Sequence, residues 1–185
     1  IRHSSGILFQ ETQKEALFFN NNEDLFGMLS GKYTTKRKTF TSSHYTPAFV
    51  ARSIVEIAIS KIDLHSKKTL KILDPACGTS NFLMEVLKQL KSKNYDGSVN
   101  VIGWDTSPSA IQTSNFLLHY ELRDWQEKLT FKLEVVDDSL SKDWESDYDL
   151  ILMNPPYVSW ELMNKNMQDS TRITLDNVFE KKPNQ

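Results

Sequence analysis

From residue 70 onward the apolar positions switch repeatedly between a strand-like and a helix-like period. Leu70 to Leu73 is a short apolar run of the kind that forms a buried strand, and it leads into a loop opened by Asp74. A helix is predicted from about Asn81 to Ser92, with Leu83, Val86, Leu87 and Leu90 on its inner face. Tyr95-Asp96-Gly97-Ser98 reads as a turn, and Val99 to Trp104 as a second strand. Ser107-Pro108 then caps a second helix carrying Ile111, Leu118 and Leu122. In the third strand, Leu129 to Val136, apolar residues alternate with polar ones, which places it nearer a sheet edge. Tyr148 to Met153 contains an unbroken apolar run, as expected for a strand covered on both faces. Strands separated by helices imply an α/β fold with a doubly wound, mostly parallel sheet.

The chain is less regular outside this region. Glu11 to Phe19 and Asn22 to Leu29 are each predicted as short helices, the second stopped at Gly31, so residues 1–43 read as a helical or irregular lead-in. A polar, Ser/Thr-rich stretch runs from Thr34 to His44. Thr46-Pro47 reads as a helix start, with Thr46 as N-cap and an apolar stripe of Val50, Ile54, Ile57 and Ala58. After Tyr157 the periodicity fades, and residues 161–185 form a polar segment. The main domain is therefore placed at 44–160. Four strands fall short of a complete sheet of this kind, so an exposed edge is expected. The first residue is Ile1, as in a piece of a longer chain.

Composition narrows the classes. A chain of 185 residues with 39% hydrophobic content can build one core. There is no apolar run of the ~20 residues that a membrane helix needs, so a cytoplasmic protein with no membrane partner is expected. Cys77 is the single cysteine, which excludes an intrachain disulfide, and no Cys/His spacing suggests a metal. The net charge of −2 is unevenly spread. Residues 1–70 hold ten Lys/Arg against six Asp/Glu, and residues 71–185 hold twelve against eighteen. The one basic cluster, Lys32, Lys36, Arg37 and Lys38, reads as a solvated loop. Such a chain is not built to hold duplex DNA tightly by itself.

Two short strings carry the chemistry. Asp74-Pro75-Ala76-Cys77-Gly78-Thr79-Ser80-Asn81-Phe82 follows the first strand, and Asn154-Pro155-Pro156-Tyr157 follows the fourth. In open α/β sheets ligands gather at such carboxyl ends. Gly78 permits a sharp turn and close approach of a ligand to the backbone. Neither a lysine-bearing phosphate loop nor a Gly-x-Gly-x-x-Gly spacing is present. Asp105, at the end of the second strand, suits two adjacent hydroxyls, although a turn residue is the plainer alternative. Trp104 and Thr106 flank it. The two prolines of the second string end a strand and fix the backbone.

Together these strings, with Tyr45-Thr46-Pro47 upstream, resemble the N6-adenine DNA methyltransferases of restriction–modification systems. The likeness is to Type I modification subunits and fused Type IIG-like enzymes, over roughly residues 40–160. It implies a Rossmann-like S-adenosylmethionine-dependent methyltransferase fold. Asp74, Ala76 and Gly78 would line the methionine half of S-adenosylmethionine, and Phe82 would pack near the adenosine or close the base of the site. Asp105 would hold the ribose, and Asp138 of Asp138-Ser139-Leu140 would accept from the exocyclic amine, with Asp137 as a rival. The stretch from Asp137 to Asp149 is equally read as a solvated acidic face. Tyr45, Thr46 and Pro47 would close over the methionine carboxylate. Ser80 stands where the family usually has a second glycine.

By the same resemblance Asn154, Pro155, Pro156 and Tyr157 form the catalytic loop. The adenine N6 lone pair is delocalised into the ring; acceptors on Asn154 and the Pro155 carbonyl would take its hydrogens and release the lone pair for attack. Tyr157 would stack on an adenine extruded from double-stranded DNA, and Trp160 could extend that pocket. The order of strings implies a C-terminal target-recognition domain, with specificity or restriction subunits as further partners and a prokaryotic host. Two alternatives share features: a protein glutamine N5-methyltransferase, which also uses Asn-Pro-Pro-Tyr, and a non-catalytic module that binds cofactor or a partner. His3, His44, His65 and His119 lack partners at a recognisable spacing, and Cys77 reads as a small buried filler.

Overall fold

A computed structural model describes residues 16–23, 29–36, 46–139, 142, 144, 147–155, 160–163 and 165–178, with only the main chain of 16–23 and 29–36 described. Two strands, β1 (Ala16–Glu23) and β2 (Leu29–Lys36), form an antiparallel hairpin with Ala16 opposite Lys36 and Glu23 opposite Leu29. The helices predicted over 11–19 and 22–29 are therefore corrected where the chain is described. Asn20, Asn21 and Asn22 are poor helix formers, and Phe18, Phe19, Tyr33, Thr34 and Thr35 favour a pleated surface.

Helix α1 (Ala48–Ser60) leads to β3 (Thr69–Asp74), α2 (Asn81–Ser92), β4 (Ser98–Asp105), α3 (Pro108–Trp125), β5 (Leu129–Val135) and β6 (Leu150–Ile151). A last helix, α4, covers Lys165–Val178. The four-stranded sheet has the order β5-β4-β3-β6 and is parallel throughout. The chain steps outward from β3 to β4 to β5 and then returns to the other side of β3. That reversal puts the crevice for a ligand at the carboxyl ends of β3 and its neighbours.

The main core lies on one face. Leu70 and Ile72 of β3, Val99 and Val101 of β4 and Leu129 of β5 meet Val55 and Ile59 of α1, Leu83, Val86, Leu87 and Leu90 of α2, and Leu118 and Trp125 of α3. Each such side chain removed from water contributes about 1.5–3 kcal/mol before entropy is counted. The opposite face holds a smaller cluster of Leu73, Ile102 and Trp104, packed against Val136, Trp144 and Tyr148. Helix α2 is laid out as its pattern predicts, and α3 starts at Ser107, whose Oγ accepts from the Ala110 amide at 3.3 Å. The predicted edge position of β5 is also found.

Three expectations are corrected here. On α1 the inward residues are Ala51, Val55 and Ile59, whereas Ile54 and Ile57 are exposed. This helix is apolar on two sides, so its pattern alone did not choose the buried one. The fourth strand is only two residues long and lies at a sheet edge, with Ile151 and Met153 exposed, so it is not covered on both faces. The polar tail contains a helix, α4, despite lacking a clear apolar period. Among the described residues no helix is long and apolar enough to cross a membrane, and no group of His, Cys, Asp and Glu is arranged to hold a metal ion.

Candidate active site

The loop after β3 is held by its own backbone. The Cys77 amide donates to the Trp104 carbonyl of β4 at 2.8 Å, and the Ser80 amide donates to the Cys77 carbonyl at 2.7 Å. Gly78 sits at φ +53°, and Ser80 at φ +63°, ψ +33°. Gly78 meets that left-handed geometry without strain, whereas a serine there is strained by its Cβ. A Cβ built on Gly78 would meet no atom within 4 Å, so open space lies above the loop. The Ser80 hydroxyl is fully buried and has no oxygen or nitrogen partner, with only the Cys77 thiol beside it.

Two carboxylates flank this loop. Asp74, at the end of β3, is buried and accepts from the Ala76 amide at 3.1 Å. Burial pushes its carboxyl up to about 8, with the charge of Asp105 adding to the effect and the Ala76 amide opposing it. Asp105, at the end of β4, accepts from the Gly78 amide through Oδ2 and from the Ser107 amide through Oδ1, each at 2.8 Å. Both oxygens are thereby fixed in place and each keeps a further lone pair. Burial, and then the charges of Asp74 and Asp105, raise the Cys77 thiol well above its ordinary range, which suits an inert filler.

Helix α3 and strand β4 support the loop through residues that motif reading did not single out. Ser114, fully buried, donates from Oγ to the Gly78 carbonyl at 2.8 Å. A Cβ on Gly103 would come within 2.7 Å of Leu133 Cδ2 and 3.0 Å of Cys77 Sγ, so the glycine lets the loop lie close to the sheet. Neither residue belongs to a recognisable string, and only the approach of β4 and α3 to the loop reveals them. On the far side, Ser139 Oγ donates to the Pro75 carbonyl, and Trp144 Nε1 donates to the Ser139 carbonyl at 2.8 Å.

The second string enters through one contact. Asn154 lies beyond the carboxyl end of β6, and its Nδ2 donates to Thr46 Oγ1 at 2.9 Å. Thr46 is buried and does not cap α1; Pro47 takes the cap position, and its carbonyl accepts from the Val50 and Ala51 amides, each at 3.0 Å. The expected N-cap role of Thr46, with Pro47 at the first helical position, is thus corrected by one residue. Its hydroxyl turns to Asn154, a better use for a buried polar group than a cap that the Pro47 carbonyl already supplies.

The other predicted positions are distributed around this edge. Pro155 is exposed, and Tyr45, Pro156 and Tyr157 lie outside the described residues. Phe82 is buried in the main core at the start of α2. Asp137 and Asp138 are exposed just beyond β5. Trp104 is committed to the second core, edge-on to Trp144 with ring centroids 5.6 Å apart, which leaves the exposed Thr106 of the two residues flanking Asp105. Part of the acidic stretch is neutralised: Asp149 pairs with Lys67, and Asp147 pairs with Lys71 at 2.7 Å. Trp160 lies in a short turn with the Arg172 guanidinium 5.2 Å above its ring.

Comparison with known proteins places the chain in a family. The Type II methyltransferase M.BanIII of Aneurinibacillus aneurinilyticus is 30% identical over 138 residues, covering 66% of this chain and 23% of that protein. The Type I restriction enzyme MjaIX methylase subunit of Methanocaldococcus jannaschii is 26% identical over 164 residues, covering 84% of this chain and 27% of that protein. The chain thus spans about a quarter of the length of these curated relatives. A structure described as a class I S-adenosylmethionine-dependent methyltransferase from Listeria monocytogenes superposes with a TM-score of 0.50 at 24% identity, over 87% of this chain and 42% of that one, and supports the fold alone. The profile of the N-6 DNA methylase family matches residues 21–185, and the chain belongs to that family.

Proposed function

We propose that this region is the methyl-transfer centre of a DNA adenine-N6 methyltransferase of a restriction–modification system, with S-adenosylmethionine as donor. The observation that carries this reading is the Asn154–Thr46 contact, which joins two distant strings at the sheet edge where Asp74 and Asp105 end their strands. The names of the two relatives, a Type II methyltransferase and a Type I methylase subunit, favour DNA over a protein glutamine as the methyl acceptor.

The residues fit the cofactor. Asp105, fixed by two amides, offers its remaining lone pairs to the vicinal ribose hydroxyls. Open space over Gly78 admits the methionine portion, and Asp74 beneath it meets the positive charge there, which favours its ionised form. Ala76 lies in the same loop and Phe82 is buried at the start of α2, while the motif alone assigns Asp138 as acceptor for the adenine amine. Thr46 and Pro47, at the start of α1, would meet the methionine carboxylate, and the motif alone assigns Tyr45 to the same role. When bound, the cofactor supplies a sulfonium methyl as the electrophile.

Asn154 Oδ1 and the Pro155 carbonyl accept the two N6 hydrogens of the target adenine. This favours a tetrahedral nitrogen with a localised lone pair, aligned for in-line attack. With the cofactor bound, transfer of its methyl to N6 would leave the sulfur neutral, and the surplus N6 proton would leave to solvent. By the motif, Tyr157 would stack on the extruded base. A region of net charge −2 leaves most phosphate contacts to a DNA-recognition domain or specificity subunit.

Isothermal titration with S-adenosylmethionine tests the cofactor half of this reading. Saturable binding should weaken roughly 100-fold in Asp105→Ala, the equivalent of two hydrogen bonds to a charged acceptor. Equal binding by wild type and variant would contradict it. Ser80 favours a second reading, a module that binds without turnover, because its strained backbone and orphan hydroxyl lie in the cofactor loop. Thermal stabilisation by S-adenosylmethionine without formation of N6-methyladenine would single that reading out.

A further inference from the structure

We propose that Thr46 is a positioning residue for methyl transfer, holding the Asn154 carboxamide with its oxygen toward the target amine. The inference rests on the reading of Asn154 as the acceptor for that amine. A carboxamide has a donor end and an acceptor end of nearly equal shape, and a half-turn about its last bond exchanges them. Only one orientation serves an amine, because the other sets NH2 against NH2. The Thr46 hydroxyl, able to donate or accept, pins the carboxamide in place; here Oγ1 accepts from Nδ2 at 2.9 Å, so Oδ1 is the end left for the substrate.

The two partners are unequally anchored, which is why one can brace the other. Asn154 follows a strand that pairs with β3 over two residues, and the last ladder bond before it runs from the Leu152 amide to the Leu73 carbonyl at 3.0 Å. Thr46 is buried, has a β-branched side chain with few rotamers, and precedes Pro47, whose carbonyl is locked into the first turn of α1. Pro47, not Thr46, takes the N-cap position of that helix. The contact spans 108 residues of sequence, so a rigid helix start on one side of the site steadies a loosely tethered loop on the other.

The test uses the full-length enzyme with its DNA-recognition portion, long unmethylated duplex DNA of mixed sequence and radiolabelled S-adenosylmethionine. Thr46→Val keeps the shape and removes the hydroxyl; Thr46→Ser keeps the hydroxyl. At saturating cofactor, Thr46→Val should lower the single-turnover rate about 10- to 100-fold, as expected for a misaligned reacting group. Thr46→Ser should stay within about threefold of wild type, and both should keep the wild-type melting temperature within a few degrees. A loss in Thr46→Val that saturating cofactor restores would make Thr46 a cofactor contact only and overturn the proposal, as would equal impairment of the Ser and Val variants. Asn154→Ala separates the two levels. If it abolishes transfer while Thr46→Val does not slow it, the positioning role fails and the reading of Asn154 stands. If Asn154→Ala transfers at the wild-type rate, the reading itself fails.

Discussion

Asp74 and Ser80 are the two residues at which this site departs from ordinary stability. Burial pushes the folded Asp74 carboxyl up to about 8, well above the ordinary carboxylate range, because it disfavours the charged form. The folded protein then holds a proton that the unfolded chain releases, so the contribution of Asp74 is fully present below about pH 4 and is lost as pH rises toward 8. Each pH unit crossed costs up to about 1.4 kcal/mol. Asp74→Asn should therefore gain stability over wild type at pH 8.5 and lose that advantage at pH 4.5, which urea unfolding at the two pH values will show. Ser80→Gly relieves a left-handed backbone and removes an orphan hydroxyl. It should raise stability by about 1 kcal/mol, or a few degrees in melting temperature, with tighter cofactor binding. Asp74 and Asn154 were legible as candidates because each opens a recognisable string after an apolar run, and Asp105 because it ends a strand. Whether Thr46 capped a helix or held Asn154 was not, since both uses place the same threonine before the same proline, and only the fold brings Asn154 within reach.

At the scale of elements, the parts with one clear buried face were readable and the others were not. Helix α2 has a single apolar side and lies where its periodicity put it, whereas α1 is apolar on two sides and buries the one that the pattern did not select. The Asn-rich hairpin and the two-residue β6 depend on pairing between segments, which local periodicity does not encode. The same dependence makes the cofactor loop sensitive to α3. Ser114→Ala leaves the Gly78 carbonyl without its side-chain donor, which should cost about 1–3 kcal/mol and loosen the loop. Cys77, the single thiol, reports this directly. Its labelling by a thiol reagent should be slow in the wild type and at least several-fold faster in Ser114→Ala under native conditions; unchanged protection would show that α3 does not restrain the loop.

The chain belongs to the N-6 DNA methylase family. Its parallel sheet collects Asp74, Asp105 and Asn154 at the ends of three adjacent strands, and β6 leaves an exposed sheet edge among the described residues. Among the described residues, Asp149 pairs with Lys67, Asp147 with Lys71, and Glu134 with Lys132 and Lys142. Added salt should accordingly weaken DNA binding of the full-length enzyme through contacts outside this region, and leave S-adenosylmethionine affinity little changed. The most direct measurement is mass spectrometry of nucleosides from unmethylated duplex DNA incubated with the full-length enzyme and isotope-labelled S-adenosylmethionine. Labelled N6-methyladenine from the wild type, reduced at least about 100-fold in Asn154→Ala, is the predicted result. Label appearing on another base or on protein, or undiminished N6-methyladenine from Asn154→Ala, would contradict the account.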